Sequence, residues 1–166
     1  MKRKLEVDSH KRTVLVQYIS DGTKESESKA LELIHSDIDL EQADGMGFTY
    51  LHFAAQFENP IIVKALLENG ANANAETLLG ASSLQLAVAR CKNYAPERSY
   101  EVIKLLLEAG ADPDKQSRDG YSVRDLSKFS DRPLLIACGL SACKVVTAEG
   151  KQRKQAILML SLFSTS

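Results

Sequence analysis

A nine-residue pattern that returns along the chain restricts its architecture more than any other feature. Gly47-Phe48-Thr49-Tyr50-Leu51-His52-Phe53-Ala54-Ala55 reappears 33 residues later as Gly80-Ala81-Ser82-Ser83-Leu84-Gln85-Leu86-Ala87-Val88. It returns 40 residues after that as Gly120-Tyr121-Ser122-Val123-Arg124-Asp125-Leu126-Ser127-Lys128. A second pattern repeats as well: the stretch from Ile62 to Asn72 matches that from Val102 to Asp112, again 40 residues apart. One insertion, around Cys91 to Arg98, accounts for both long offsets. Periods of this length belong to stacked supersecondary units, not to a single closed core.

The unit's physics can be read residue by residue. Thr49 and Ser82 suit a helix N-cap, where a hydroxyl accepts from an orphan amide of the first turn. The small residues Ala54, Ala55 and Ala87 let neighbouring helices approach closely. A second helix is predicted near Pro60, whose fixed φ fits a first turn, with Ile62, Val63, Leu66 and Leu67 on one face. Gly70 and Gly110 supply the left-handed residue that ends such a helix. The segments 72–76 and 112–117 are turn-rich and lead to the next glycine. Two short helices and a projecting turn cannot bury their apolar faces alone, so copies must stack.

In this combination the sequence resembles the ankyrin-repeat family. The helix start Thr49-Tyr50-Leu51-His52 and the helix end Leu66-Leu67-Glu68-Asn69-Gly70-Ala71-Asn72 carry the family's signature. The resemblance implies an all-α solenoid of about four helix-turn-helix repeats with projecting turns, degenerate caps and an irregular C-terminal tail. We place the ankyrin domain at 9–140, with repeats near 9–43, 44–76, 77–116 and 117–140, and the tail at 141–166. The first repeat is degenerate: its first helix is expected over Ser9 to Ile19, and Asp37 stands in the glycine place. The fourth repeat puts Arg124 where leucine is usual, as a solvent-facing cap would. Its second helix is expected from Asp131 to Cys138, with Pro133 in the first turn and Gly139 after the end.

Composition removes several classes of function. The 21 Lys and Arg nearly balance 22 Asp and Glu, so no overall field draws the chain to nucleic acid or to an anionic membrane. The basic start Lys2-Arg3-Lys4 lacks interleaved aromatics and reads as a solvated end, and Asp21 to Glu27 as a solvated helix connection. Cys91, Cys138 and Cys143 form no disulfide framework and no zinc spacing, which fits a reducing, cytoplasmic setting. No secretory n-region and no membrane span is expected: the longest apolar run, 156–163, contains Ser161 and falls well short of about 20 residues. That run, preceded by Lys151-Gln152-Arg153-Lys154, fits no ankyrin element and reads as a loose terminal helix or a disordered end, the alternative being a short anchor on a partner or a membrane surface.

Catalytic chemistry is not expected. The chain has no glycine-rich phosphate loop, HExxH, GxSxG or calcium-loop ligand series, so no catalytic residue, metal site or cofactor is assigned. His52 stands at the ankyrin histidine position, which implies a structural hydrogen bond between repeats. His10 and His35 are isolated, without an evident acid–base partner.

The resemblance also implies where a partner protein would sit: on the concave face made by the projecting turns and the exposed side of the first helices. The variable positions there are Met46, Phe48, Leu79 and Tyr121 around the glycines. Gln56, Phe57, Arg90 and Phe129 stand at the ends of the first helices, and Tyr94 and Arg98 belong to the insertion. This set is unusually apolar for solvent-facing positions, and exposed aromatics with arginine are typical interface anchors. A small stand-alone ankyrin chain with such an insertion resembles small bacterial ankyrin proteins, some of which look like immunity proteins neutralising a toxin. A toxin is therefore one candidate partner, and a secreted effector acting on host proteins is the alternative reading.

Overall fold

The structure, a computed structural model, describes residues 2–7, 13–90 and 96–128. Among these, regular structure is entirely helical: α1 (Val14–Asp21), α2 (Lys24–Ile34), α3 (Tyr50–Gln56), α4 (Pro60–Glu68), α5 (Ser83–Arg90), α6 (Pro96–Glu108) and α7 (Val123–Lys128). First helices stack on first helices, α1 on α3, α3 on α5 and α5 on α7. Second helices do the same, α2 on α4 and α4 on α6. The result is two helical layers with one continuous core, as the sequence pattern predicts.

The second helix of the best-formed repeat shows why these residues adopt this structure. Asn59 caps α4, its side-chain oxygen accepting from the Ile62 N–H at 3.1 Å, and Pro60 occupies the first turn, where no amide bond is lost. Ile62, Val63 and Leu66 are fully buried, and Ala65 nearly so. The helix ends at Gly70 with φ of 88°; the Ala71 N–H reaches the Leu66 carbonyl at 2.9 Å and the Gly70 N–H reaches Leu67 at 3.0 Å. The end of α6 copies this arrangement, with Gly110 at 85° and the Ala111 N–H on the Leu106 carbonyl at 2.9 Å. This is the 6→1 and 5→2 closure that a left-handed residue permits.

The first repeat departs from the sequence reading in three places. Its helix starts at Val14, not Ser9. Thr13 holds the N-cap place that Thr49 holds in the next repeat, and it pairs with Val7 six residues back, as Ser82 pairs with Glu76 and Ser122 with Gln116. The span 21–27 is helix on both sides of a two-residue link, Gly22-Thr23. The Thr23 hydroxyl accepts from the Ser26 N–H at 3.2 Å, and Glu25 and Glu27 lie at the positive end of the α2 dipole. Asp37, in the glycine place, keeps an ordinary negative φ, so α2 ends without a left-handed residue.

The backbone of the amino-terminal segment is also docked, although its basic side chains are solvated as expected. The Arg3 N–H donates to the Asp37 carbonyl at 2.9 Å, and the Asp39 N–H returns to the Arg3 carbonyl at 2.8 Å. The Gln42 side-chain amide then acts as a further rung, accepting from the Leu5 N–H at 2.7 Å and donating to the Leu5 carbonyl at 2.8 Å. Lys2, Arg3 and Lys4 still present their side chains to water. The expected helix over 131–138, the tail, all three cysteines and His10 lie outside the described residues.

Two substitutions test this register. A Cβ at Gly70 would meet nothing within 4 Å, so Gly70→Val isolates the cost of the left-handed backbone and is expected to lower unfolding free energy by more than about 1 kcal/mol. Leu66→Ala, in the core, is expected to cost about 2–5 kcal/mol. Denaturant unfolding measures both.

Candidate protein-binding surface

Each projecting turn is a small hairpin finger built by its own backbone. In the second repeat the Asp44 N–H donates to the Phe48 carbonyl at 3.0 Å. The same bond joins Thr77 to Ala81 at 3.0 Å and Ser117 to Tyr121 at 3.1 Å. The fingers are tied to one another in turn, the Leu78 N–H to the Met46 carbonyl at 2.9 Å and the Arg118 N–H to the Leu79 carbonyl at 3.1 Å. Glycine makes this approach possible. A Cβ on Gly47 would lie 2.8 Å from the Leu78 nitrogen, closer than real Cβ atoms come.

In the second and third repeats the side chain three residues after the N-cap fixes the finger of the following repeat. The Thr49 N–H donates to His52 Nδ1 at 3.1 Å, and His52 Nε2 contacts the Ala81 carbonyl at 3.2 Å. A nitrogen that accepts from a backbone amide carries no proton, so the ring is the neutral tautomer with hydrogen on Nε2. Gln85 performs the same two tasks with an amide. Its Oε1 accepts from the Ser82 N–H at 2.8 Å, and its Nε2 donates to the Tyr121 carbonyl at 2.9 Å and to Lys115 at 3.3 Å. Asp125 closes its own cap, its carboxylate accepting from the Ser122 N–H at 3.1 Å. An ionised carboxylate has no proton to pass onward. In the first repeat the corresponding residue is the buried aliphatic Val16, which offers neither an acceptor nor a donor.

His52 is fully buried, and both ring nitrogens are engaged in this link. It is a structural histidine, the role its position implies. Among the described residues, no group of His, Cys, Asp and Glu could hold a metal ion. No helix among them is long and apolar enough to cross a membrane.

The residues singled out in the sequence fall into distinct settings. Met46, Leu79 and Tyr121 are 52%, 58% and 53% exposed on the row of fingers. Phe48 is half-buried instead, its ring edge-on to His52 at 5.7 Å and tilted on Phe53 at 5.6 Å. Phe57 is exposed beyond the end of α3, and Gln56 beside it is half-buried. Arg90 ends α5, and Arg98 lies in the first turn of α6; both are exposed. Tyr94 and Phe129 lie outside the described residues. Sequence reading missed Leu78, 55% exposed on the same fingertip as Leu79; its signal was its place two residues before Gly80, on the outermost part of the turn.

Two further features differ from expectation. The last residues of the insertion are helical: α6 has 13 residues where α4 has 9, and the added turn is held by Ser99 Oγ donating to Glu58 Oε1 at 2.7 Å. Arg124 is half-buried and not simply solvent-facing. Its guanidinium grips Asp114 through Nε and a second nitrogen, and that hydrogen bond holds the Asp114 carboxyl below the usual carboxylate range.

Because Gln85 serves a buried donor and a carbonyl at once, Gln85→Leu is expected to lower stability by about 2–4 kcal/mol. Gln85→His should retain most of the stability, since His52 shows that an imidazole fits both tasks. Urea unfolding of the two variants at neutral pH separates these outcomes.

Comparison with known proteins agrees with this architecture. A family model described as ankyrin repeats, in three copies, matches residues 15–117, more than half of the chain. The chain is 29% identical over 139 residues to a protein of Danio rerio named putative palmitoyltransferase ZDHHC13, covering 66% of this chain and 21% of that protein. It is also 29% identical over 129 residues to a putative ankyrin repeat-containing protein of Treponema pallidum (strain Nichols), covering 77% of this chain and 40% of the relative. It thus spans less than half the length of either relative. With the repeat register, the finger geometry and the family match in agreement, the chain belongs to the ankyrin-repeat family.

Proposed function

We propose that this chain binds another protein, without catalysis or cofactor, through its row of fingertips and the adjoining face of the first helices. One observation carries the reading. Met46, Leu78, Leu79 and Tyr121 are large apolar side chains, each more than half exposed, on fingers that backbone hydrogen bonds hold in register. Exposed apolar side chains gathered on a rigid framework suit a protein partner, because their burial needs no rearrangement of the framework. Arg90, Arg98 and Phe57 extend the surface toward the far ends of the helices.

The narrower reading, an immunity protein holding a toxin, rests on the resemblance to small bacterial ankyrin proteins. It requires a toxin among the proteins recovered by affinity purification and mass spectrometry, and it fails if none is recovered. The effector reading requires secretion that depends on 141–166, which a secretion assay of the truncated chain decides.

Against a partner so recovered, the triple variant Met46→Ala, Leu79→Ala, Tyr121→Ala is expected to weaken binding by about 1–4 kcal/mol. Stability should change little, because exposed positions contribute within about ±0.5 kcal/mol each. Calorimetric titration and thermal unfolding of the same samples test the pair of statements. Full affinity in the triple variant would place the partner elsewhere.

A further inference from the structure

Of the three residues at one structural position, His52, Gln85 and Asp125, only the histidine changes its charge near neutral pH. The contrast matters because the Ala81 carbonyl that meets His52 also accepts the Thr77 N–H closing the second repeat's neighbouring finger, the one that carries Leu78 and Leu79. We propose that His52 is an acid-sensitive latch on that finger, locking its apolar tip in register near neutral pH and releasing it when the ring is protonated. This rests on the fingertip binding site proposed above and adds its regulation.

The argument begins with the ring's surroundings. His52 has no exposed surface, and its Nδ1 faces the Thr49 N–H, a donor that cannot turn away because it belongs to the helix cap. A proton on Nδ1 would set donor against donor. The Thr49 hydroxyl, 2.9 Å from the same nitrogen, could accept such a proton, but the backbone amide would then lose its partner. Burial first of all holds the ring's pKa below the ordinary histidine value of about 6.5, while the Ala81 and Ala75 carbonyls and the Asp44 charge act the other way.

Asp44 offsets the buried cation only in part, since burial outweighs it. Asp44, on the preceding finger, already accepts the Met46 and Phe48 N–H groups with its Oδ1. Glu76, on the following finger, is exposed and paired with Lys115. The helices packed on α3 contribute Asp21 at the end of α1, Lys64 and Glu68 on α4, and Arg90 at the end of α5, all exposed to water. The protonated ring therefore reaches compensation by leaving its site, and the bond to Ala81 goes with it.

The sign follows from linkage. Above about pH 6.5 the ring is neutral whether the latch is closed or open, and closure is fully favoured. As pH falls below that value the open form takes up a proton that the closed form refuses. Closure weakens through the whole window down to the depressed pKa of the closed form. The finger that follows, held by Gln85, has no such dependence.

Hydrogen–deuterium exchange on the full chain tests this, with protection corrected for the intrinsic pH dependence of exchange. From about pH 7.5 to about pH 5, protection of residues 76–82 should fall roughly tenfold or more, while that of 116–122 holds. His52→Gln should remove the response. Gln85→His should transfer it to 116–122, a gain that misfolding cannot imitate. Unchanged protection at 76–82 in the wild-type chain, or an equal fall in His52→Gln, would overturn the latch. Neither result bears on the binding surface, which stands or falls with the triple fingertip variant at neutral pH.

Discussion

The middle of the array depends on one repeated arrangement, a side chain three residues into the first helix, His52 in α3 and Gln85 in α5, that faces two ways. Toward its own repeat it accepts from the N-cap amide, and toward the next it donates to the carbonyl at the base of a finger. Helix start and neighbouring finger are thereby set by one rigid group. In a solenoid each unit touches only its neighbours, so such a group is among the few places where local and inter-repeat order coincide. His52 and Gln85 differ in ring, volume and polarity, yet both present an acceptor and a donor on opposite sides. The position selects for that pair of functions.

The linkage explains why an exposed row of turns can be ordered at all. A lone hairpin of this size has too little buried surface to persist. Here each finger is closed by its own backbone, leans on the finger beside it at glycine distance, and in two cases is held at its base from the preceding helix. Apolar side chains at the tips are thus presented by the scaffold, and their ordering cost is met before any partner arrives. At the amino-terminal end no such donor exists, because Val16 stands in its place. There the amide of Gln42 is drawn into service, joining the Leu5 backbone and the Tyr50 hydroxyl.

Most of the fold was legible because its signals are local. Caps, a proline in a first turn, glycine at a helix end and paired leucines each impose a backbone shape with little help from elsewhere, and their recurrence gave the period. What escaped reading depended on distant partners. The docking of 2–7 needs the edge at 37–42, and the short link at Gly22-Thr23 follows from hydrogen bonds among Asp21, Thr23 and Ser26 that charge content alone conceals. The start of α1 was misplaced because its threonine cap lacks the familiar His or Gln three residues later. At the surface, Met46, Leu79 and Tyr121 were found from their nearness to glycine. The partial burial of Phe48 was invisible because it arises from Phe53 and His52, which come together only once the helix forms.

Glu58, in the turn between α3 and α4, has φ of 53°, the one non-glycine residue among those described with a left-handed backbone. Such a residue carries local strain of about 1 kcal/mol or more, tolerated when its surroundings fix it. What fixes it is the end of α3, where the Glu58 N–H donates to the Ala55 carbonyl at 3.2 Å and the Asn59 N–H to the Ala54 carbonyl at 3.1 Å, the closure seen at Gly70; Ser99, in the turn that α6 has gained, then holds its side chain. Inserted turn and strained residue are therefore coupled through one side-chain bond, the longer helix supplying a hydroxyl for the carboxylate at 58. A redesign with the regular 33-residue spacing would remove that hydroxyl, and glycine, which adopts a left-handed backbone without strain, would become the natural choice at 58.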